Sequence, residues 1–396
     1  MPTHVGVGRS RSRDSAAAGR DAAREALAEL GGARPSIVLA FATAGHDQEA
    51  MLRGVRTVSG DTPLVGASAE GTITRHGSEE VSHSVEIALV ASDTLAFETF
   101  FVPEFVERSR EAGRALAAAV RARGLEDGVL VLFPDGLGGN CRELVEELTA
   151  GIAPSITLVG GTAGDLLTFQ RTYQYHGDHV ASGALSALWI GGDVVPEIAV
   201  THGCDLVGNE RVVTRASGGW VEEIDGQPAW SFFRDYLAEG PDTLETMHVS
   251  HLLLAEHIGS RGEGVDDFTV RVPVQLDTTR GALFFAAGLR EGTRVQPAMR
   301  NPEKVCTRAV AAARRLADRH PDERPLFVLD LECAGRGAIL FGQDVTQRLV
   351  EPTQQVFGPG VPWIGLHTYG EIGPLAGETW FHNYTAVLCA FYARSR

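Results

Sequence analysis

His367, Tyr369 and Glu371 fall on one short turn, HTYGE, with His382 and Asn383 close downstream. A histidine beside a carboxylate suits proton transfer or metal ligation. No further histidine or cysteine stands at a ligand spacing, so a metal is not expected. The turn reads as an acid–base pair or as a polar network in which Asn383 bonds to neighbouring backbone. The second constellation is LECAGRG, which sets Cys333 beside Arg336. An arginine between glycines can clamp a carboxylate through two parallel bonds, or it can pair with Asp330 or Glu332. Its charge would lower the pKa of a neighbouring thiol, whereas a cysteine ending a buried strand serves equally as a small apolar residue.

Other chemistries lack their signatures. GGTAGD has no Lys-Ser/Thr ending to reach a phosphate, VGVG near the start lacks a third fingerprint glycine, and no G-x-S-x-G elbow occurs. His176 and His179, in YQYHGDHV, are candidates for the proximal ligand of a haem, since one histidine suffices. His248, His251 and His257 cluster on a helix or strand without a ligand pattern.

What positions these residues is a threefold internal repeat. The stretches SIVLAFAT to TPLVGASAEG, GVLVLFPDG to SITLVGGTAGD, and PLFVLDLECAGRG to VPWIGLHTYGE follow one plan. Each opens with an apolar run of strand length, continues through a helix-patterned segment and ends in a second apolar run that stops at glycine. Such runs suit strands buried on both faces, and the order is strand, helix, strand. Superposing the three puts Gly66, Gly160 and Gly365 in one place. Ser68, Thr162 and His367 follow two residues later, and Gly71, Asp165 and Gly370 three beyond those. Ligands of parallel α/β sheets bind outside the carboxyl ends of the strands. The reading is therefore a cleft lined by repeated strand ends.

Around the repeats, residues 84–102 and 183–203 read as strand pairs, 16–30, 107–123 and 306–320 as helices, and 267–300 as a meander. A boundary falls near Arg215, ahead of the Asp225-Gly226 turn. The predicted class is α/β, with repeated βαβ units forming mixed sheets in two packed modules, 1–215 and 216–396. Only the first dozen residues read as mobile. Five scattered cysteines without a CxxC pair fit a reducing compartment and no cysteine-built zinc site. A formal charge of −16 argues against nucleic acid or an anionic membrane as partner, because both need clustered cations. No apolar run is long enough to span a bilayer, and the N-terminus lacks a secretory pattern. The expected location is the cytoplasm.

Several stretches resemble the FIST family (F-box and intracellular signal transduction proteins). They include IVLAFATAGHDQEAMLRGV, PLVGASAEGTIT and VGGTAGD in the first half. EIDGQPAWSFFRDYL, GLREGTRVQPAM, CAGRG, YGEIGP and HNYTAV carry the likeness in the second. The resemblance implies an N-terminal and a C-terminal sensory module that bind a small molecule, with amino acids or related metabolites suggested. It also implies a separate signalling output protein as partner, and some members are haem proteins that respond to nitric oxide. The expected ligand site uses Arg336 and the turns at Gly160 and its equivalents for an anionic end. Ser68, Thr162 and His367 orient polar groups, and Asp165 or Glu371 meets an ammonium. Cys333, Tyr369, His382 and Asn383 complete the set. No cofactor is expected on this reading; a haem sensor is the alternative, and a hydrolase or transferase using Cys333 or His367 ranks below it.

Overall fold

The computed structural model describes residues 3–234, 253–258 and 268–394. Its class is α/β with mixed sheets, in an N-terminal and a C-terminal module. Each repeat forms the centre of one six-stranded sheet. Ile37–Thr43 lies parallel to Leu64–Ala69, Gly128–Pro134 to Ile156–Gly161, and Phe327–Cys333 to Trp363–Thr368. These runs are apolar throughout because both faces are covered, by helices outside and by the other two sheets inside. Phe41, Phe133 and Leu331, one from each repeat, share the central core.

On one side each parallel pair takes an antiparallel strand of its own repeat: Val85–Ala91, Leu185–Gly192 or Thr385–Ala393. On the other side it takes a hairpin from a different repeat. The hairpin of Gly71–Thr74 and Gly77–Glu79 leaves the first repeat and pairs with Trp363–Thr368 of the third. Gln174–His176 and His179–Ala181 leave the second and pair with Leu64–Ala69 of the first. Glu371–Leu375 and Glu378–His382 leave the third and pair with Ile156–Gly161 of the second. The exchange is cyclic. No repeat completes its own sheet, so the three depend on one another for backbone pairing.

Helices cover the outer faces. Ser15–Glu29 lies on Gln48–Ser59, and Ser109–Ala122 on Cys141–Gly151. The first helix of the first pair is alanine-rich because the two backbones touch closely. A Cβ on Gly19 would stand 2.1 Å from the Met51 carbonyl oxygen. Asp14, Asp47 and Asn140 cap these helices by accepting a first-turn N–H.

Between Val194–His202 and the helix Pro302–Ala317 the third repeat is interrupted by a nine-stranded sheet. It has a small core of its own, including Val213, Leu254, Phe285 and Val295. Residue 215 lies within its strand Arg211–Ser217. The meander expected over 267–300 does not form: Pro273–Asp277 pairs with Ala282–Phe285, but Phe268–Arg271 pairs with Leu253–His257, and Arg294–Arg300 pairs with Leu253–His257 and Arg211–Ser217. Val194–His202 meanwhile pairs with Thr385–Ala393 near the end of the chain. Another expectation needs adjustment: within the first dozen residues His4–Ser10 is not loose, because it pairs along its length with Val85–Ala91. Of the histidine cluster, His257 ends the strand Leu253–His257, whereas His248 and His251 lie outside the described residues. Among the described residues no helix is long and apolar enough to cross a membrane.

Candidate functional site

The second strands of the three repeats end together. Glu70, Gly164 and Tyr369 hold the same place in their repeats, and their amides close a ring. Glu70 N–H donates to the His367 carbonyl (3.0 Å), Tyr369 N–H to that of Thr162 (3.4 Å), and Gly164 N–H to that of Ser68 (3.0 Å). The glycines two positions before Ser68, Thr162 and His367 serve the strands rather than a ligand. A Cβ on Gly66, Gly160 or Gly365 would meet the carbonyl oxygen of Ala40, Leu132 or Asp330 on the parallel neighbour, at 1.8, 2.4 and 2.7 Å.

Beside this ring the second and third repeats leave a cavity of about 530 Å³, within the range of small-molecule sites. Its floor is the first-strand ends, Asp135–Gly136–Leu137 and Cys333–Ala334–Gly335, with Thr162, Thr368 and Tyr369 from the second strands. Val272, Val274 and Leu276 of the inserted sheet roof it, and Phe381, Asn383 and Tyr384 close the side. The insertion is held down by a buried ion triad behind Phe381. Arg142 reaches both Glu256 oxygens at 2.7 and 2.8 Å, and Arg271 Nε lies 2.6 Å from the same carboxylate while also donating to the Phe381 carbonyl.

One wall is the loop 165–171. Leu166, Leu167 and Phe169 have φ of 62°, 55° and 51°, a left-handed conformation that costs about 1–2 kcal/mol per residue. Asp165 offsets this by accepting from Phe169, Gln170 and Arg171 N–H and from the Thr168 hydroxyl. Tyr369 Oη accepts from Leu167 N–H at 2.7 Å and lies 2.6 Å from Asp165 Oδ1. Phe169 then stacks on the Tyr369 ring, centroids 5.4 Å apart. Burial, together with like charge from Glu80 and Asp165, raises the nearby Glu70 carboxyl to about 7 despite hydrogen bonds from Tyr369 and Leu167.

The structure brings Thr162, Cys333, Tyr369 and Asn383 of the expected set into this wall, and puts the others behind it. Ser68 is fully buried, its Oγ donating to the Gly164 carbonyl and accepting from Tyr173 N–H. Arg336 is fully buried in an ion pair with Glu332 at 2.5 Å and donates to the Thr201 carbonyl. His367 Nε2 meets Ser78 Oγ at 2.7 Å. Glu371 accepts from the Thr368 hydroxyl and Thr385 N–H, and burial pushes its carboxyl well up. His382 sits between the Thr269 hydroxyl and the Gly373 carbonyl, and burial lowers it to about 3, so it is neutral. Asn383 donates to the Tyr369 carbonyl and accepts from Val272 N–H. The Cys333 thiol is pushed well up by burial and by Glu371, and its sulfur accepts from Tyr384 N–H. Arg336 does not activate it.

No histidine is among the described wall residues, and His176 instead stacks on Phe101 with Nε2 against Thr99 Oγ1. The residues that sequence reasoning missed are Asp135 and Leu137, the aromatic walls Phe169, Phe381 and Tyr384, and the roof. The first two were within reach, because PDG and CAG end equivalent strands; the roof had no signal in the repeat.

The chain matches the FIST N domain over residues 36–227 and the FIST C domain over residues 229–374. It belongs to the FIST family. FIST modules are small-ligand sensory domains of signalling proteins, and this chain spans its relatives almost end to end. An uncharacterised Mycobacterium tuberculosis protein is 28% identical over 98% of this chain and 99% of its own length. An uncharacterised Mycobacterium bovis protein is 28% identical over 98% of each. Among solved structures, a cyanuric acid hydrolase shares 10% identity over 98% of this FIST chain and all of its own, at a TM-score of 0.38. Thermotoga maritima PurL with ADP shares 10% over 98% of this chain and 71% of its own, at 0.24. At these scores neither likeness bears on the chemistry of the FIST cavity.

Proposed function

We propose that this FIST protein reversibly binds a small molecule in the cavity between its second and third repeats, as the input step of signalling through a separate output protein. The observation that carries the reading is the cavity itself, at the carboxyl ends of parallel strands and roofed by the inserted sheet. The roof rests on both repeats, through Glu256 on Arg142 and through Arg271 and Val272 on Phe381 and Asn383, so an occupant that bridges floor and roof changes how firmly the insertion is held. Among the described wall residues no histidine or lysine stands beside a nucleophile, which favours binding over turnover. An amino acid, the ligand that the family resemblance suggests, would bring its carboxylate to a wall with no lysine, arginine or histidine among the described residues, and Arg336 is already committed to Glu332.

A thermal-shift screen of small metabolites, amino acids and hemin tests the reading. The expected hit raises Tm by several degrees in the wild type and not in Ala286→Phe, which fills the cavity from the roof. A hit that Ala286→Phe leaves intact, or a Soret band after hemin addition that a histidine substitution removes, would overturn it.

A further inference from the structure

Most of the wall's buried polar groups are already paired, and that restricts the charge of what it can take. Among the described wall residues Asp135 is the one carboxylate, and all four of its acceptor positions are filled. Oδ1 takes Leu137 and Gly138 N–H at 2.9 and 3.0 Å; Oδ2 takes the Thr172 hydroxyl and Gly183 N–H at 2.6 and 3.2 Å. An ammonium therefore finds no free carboxylate oxygen. The aromatic faces that would otherwise attract a cation are partly taken: Arg300 lies 4.7 Å over the Tyr384 ring, and Phe169 and Tyr369 stack on one another. An anion finds no cation in the described wall, and the arginines behind it hold Glu256. Burying a charge without a partner is far costlier than burying a neutral group. Gln275 and Thr278 lie on the exposed part of the lining; the buried polar feature left over is Thr162, whose Oγ1 is the one buried side-chain atom among the described wall residues without a hydrogen-bond partner.

We infer that the cavity selects an uncharged molecule with a flat, largely apolar body and one hydrogen-bonding group, the body lying along Phe169, Tyr369, Phe381 and Tyr384 and the polar group meeting Thr162. This rests on the binding reading above and adds the ligand's class and its anchor.

Matched probes of one bicyclic shape test it by calorimetry at pH 7: 2-naphthol, naphthalene, 2-naphthoate and 2-naphthylmethylammonium. The expected result is that 2-naphthol binds about tenfold or more tighter than either ion. Thr162→Val lowers its affinity roughly three- to tenfold with naphthalene unchanged, and Thr162→Ser keeps it. Ala286→Phe, or Ala286→Leu should the larger residue impair folding, weakens both neutral probes. An ion that binds as tightly as 2-naphthol overturns the uncharged class while the cavity reading stands. An unchanged 2-naphthol affinity in Thr162→Val overturns the anchor. Neutral probes that fail to bind at millimolar concentration, or whose binding ignores both fillings, overturn the cavity reading and this inference together.

Discussion

Glu70 and Tyr369 occupy corresponding places in the first and third repeats, and their side chains meet, Tyr369 Oη lying 3.0 Å from Glu70 Oε2. Their backbones are links of the same amide ring, so the repeat delivers a carboxylate and a phenol to one point beside the loop that walls the cavity. Glu70 also accepts from Leu167 N–H at 2.9 Å. The protonation state of one buried group is thereby tied to a loop of left-handed residues.

Burial raises Glu70 to about 7 from an ordinary value of 4.5, so between those limits the folded chain holds a proton that the unfolded chain has released. Stability from this group is full below the unfolded value, falls as pH rises towards 7, and is level above it. The fall is roughly 3 kcal/mol. Glu70→Gln should remove it, which denaturant melts of both proteins at pH 5 and pH 8 would show; an equal pH dependence in the two would count against this assignment.

Arg336 should matter for folding and not for ligand. Burial raises Glu332 and Asp330 while Arg336 opposes it, so Arg336→Ala strands buried acids. A loss of about 3–5 kcal/mol is expected, read by urea denaturation. Whatever folds should keep wild-type affinity for a cavity probe.

Glu256→Gln should loosen the roof. Burial works against the Glu256 charge, but Arg271 and Arg142 outweigh it and hold the carboxyl below its usual range. Its contribution is thus present above the ordinary carboxyl pKa and lost as pH falls. Hydrogen exchange should rise across residues 268–300 in the variant before it rises in the central strands Phe327–Cys333 and Gly128–Pro134. Uniform exchange across all of these would show that the triad does not act on the roof alone.

Thiol labelling separates the inert cysteines from the accessible one. Cys141, Cys204, Cys333 and Cys389 are buried and Cys306 is half-buried, and burial raises the pKa of Cys333 well above the ordinary value. In the native protein at pH 8, Cys306 should be alkylated first, with the other four reacting only after unfolding. Early modification of Cys333 would argue for the reactive thiol that its neighbour Arg336 suggested in sequence.

The repeat was legible in the chain because burial on both faces demands continuous apolar strands, and because close parallel neighbours demand glycine at Gly66, Gly160 and Gly365. That periodicity, with the FIST motifs, determined the class of the fold and pointed to the strand ends beside which the cavity lies. It also singled out Thr162, Cys333, Tyr369 and Asn383, which line that cavity. Which strand pairs with which hairpin was decided only in three dimensions: hydrogen bonding between strands carries no local signature, so the cyclic exchange leaves no mark in the text. The same holds for side chains. Arg336 between glycines reads equally as a clamp or as the partner of Asp330 or Glu332, until the fold buries it against Glu332. Charge and residue type are properties of the sequence, whereas whether a polar atom is free to meet a ligand depends on every neighbour the tertiary structure brings to it.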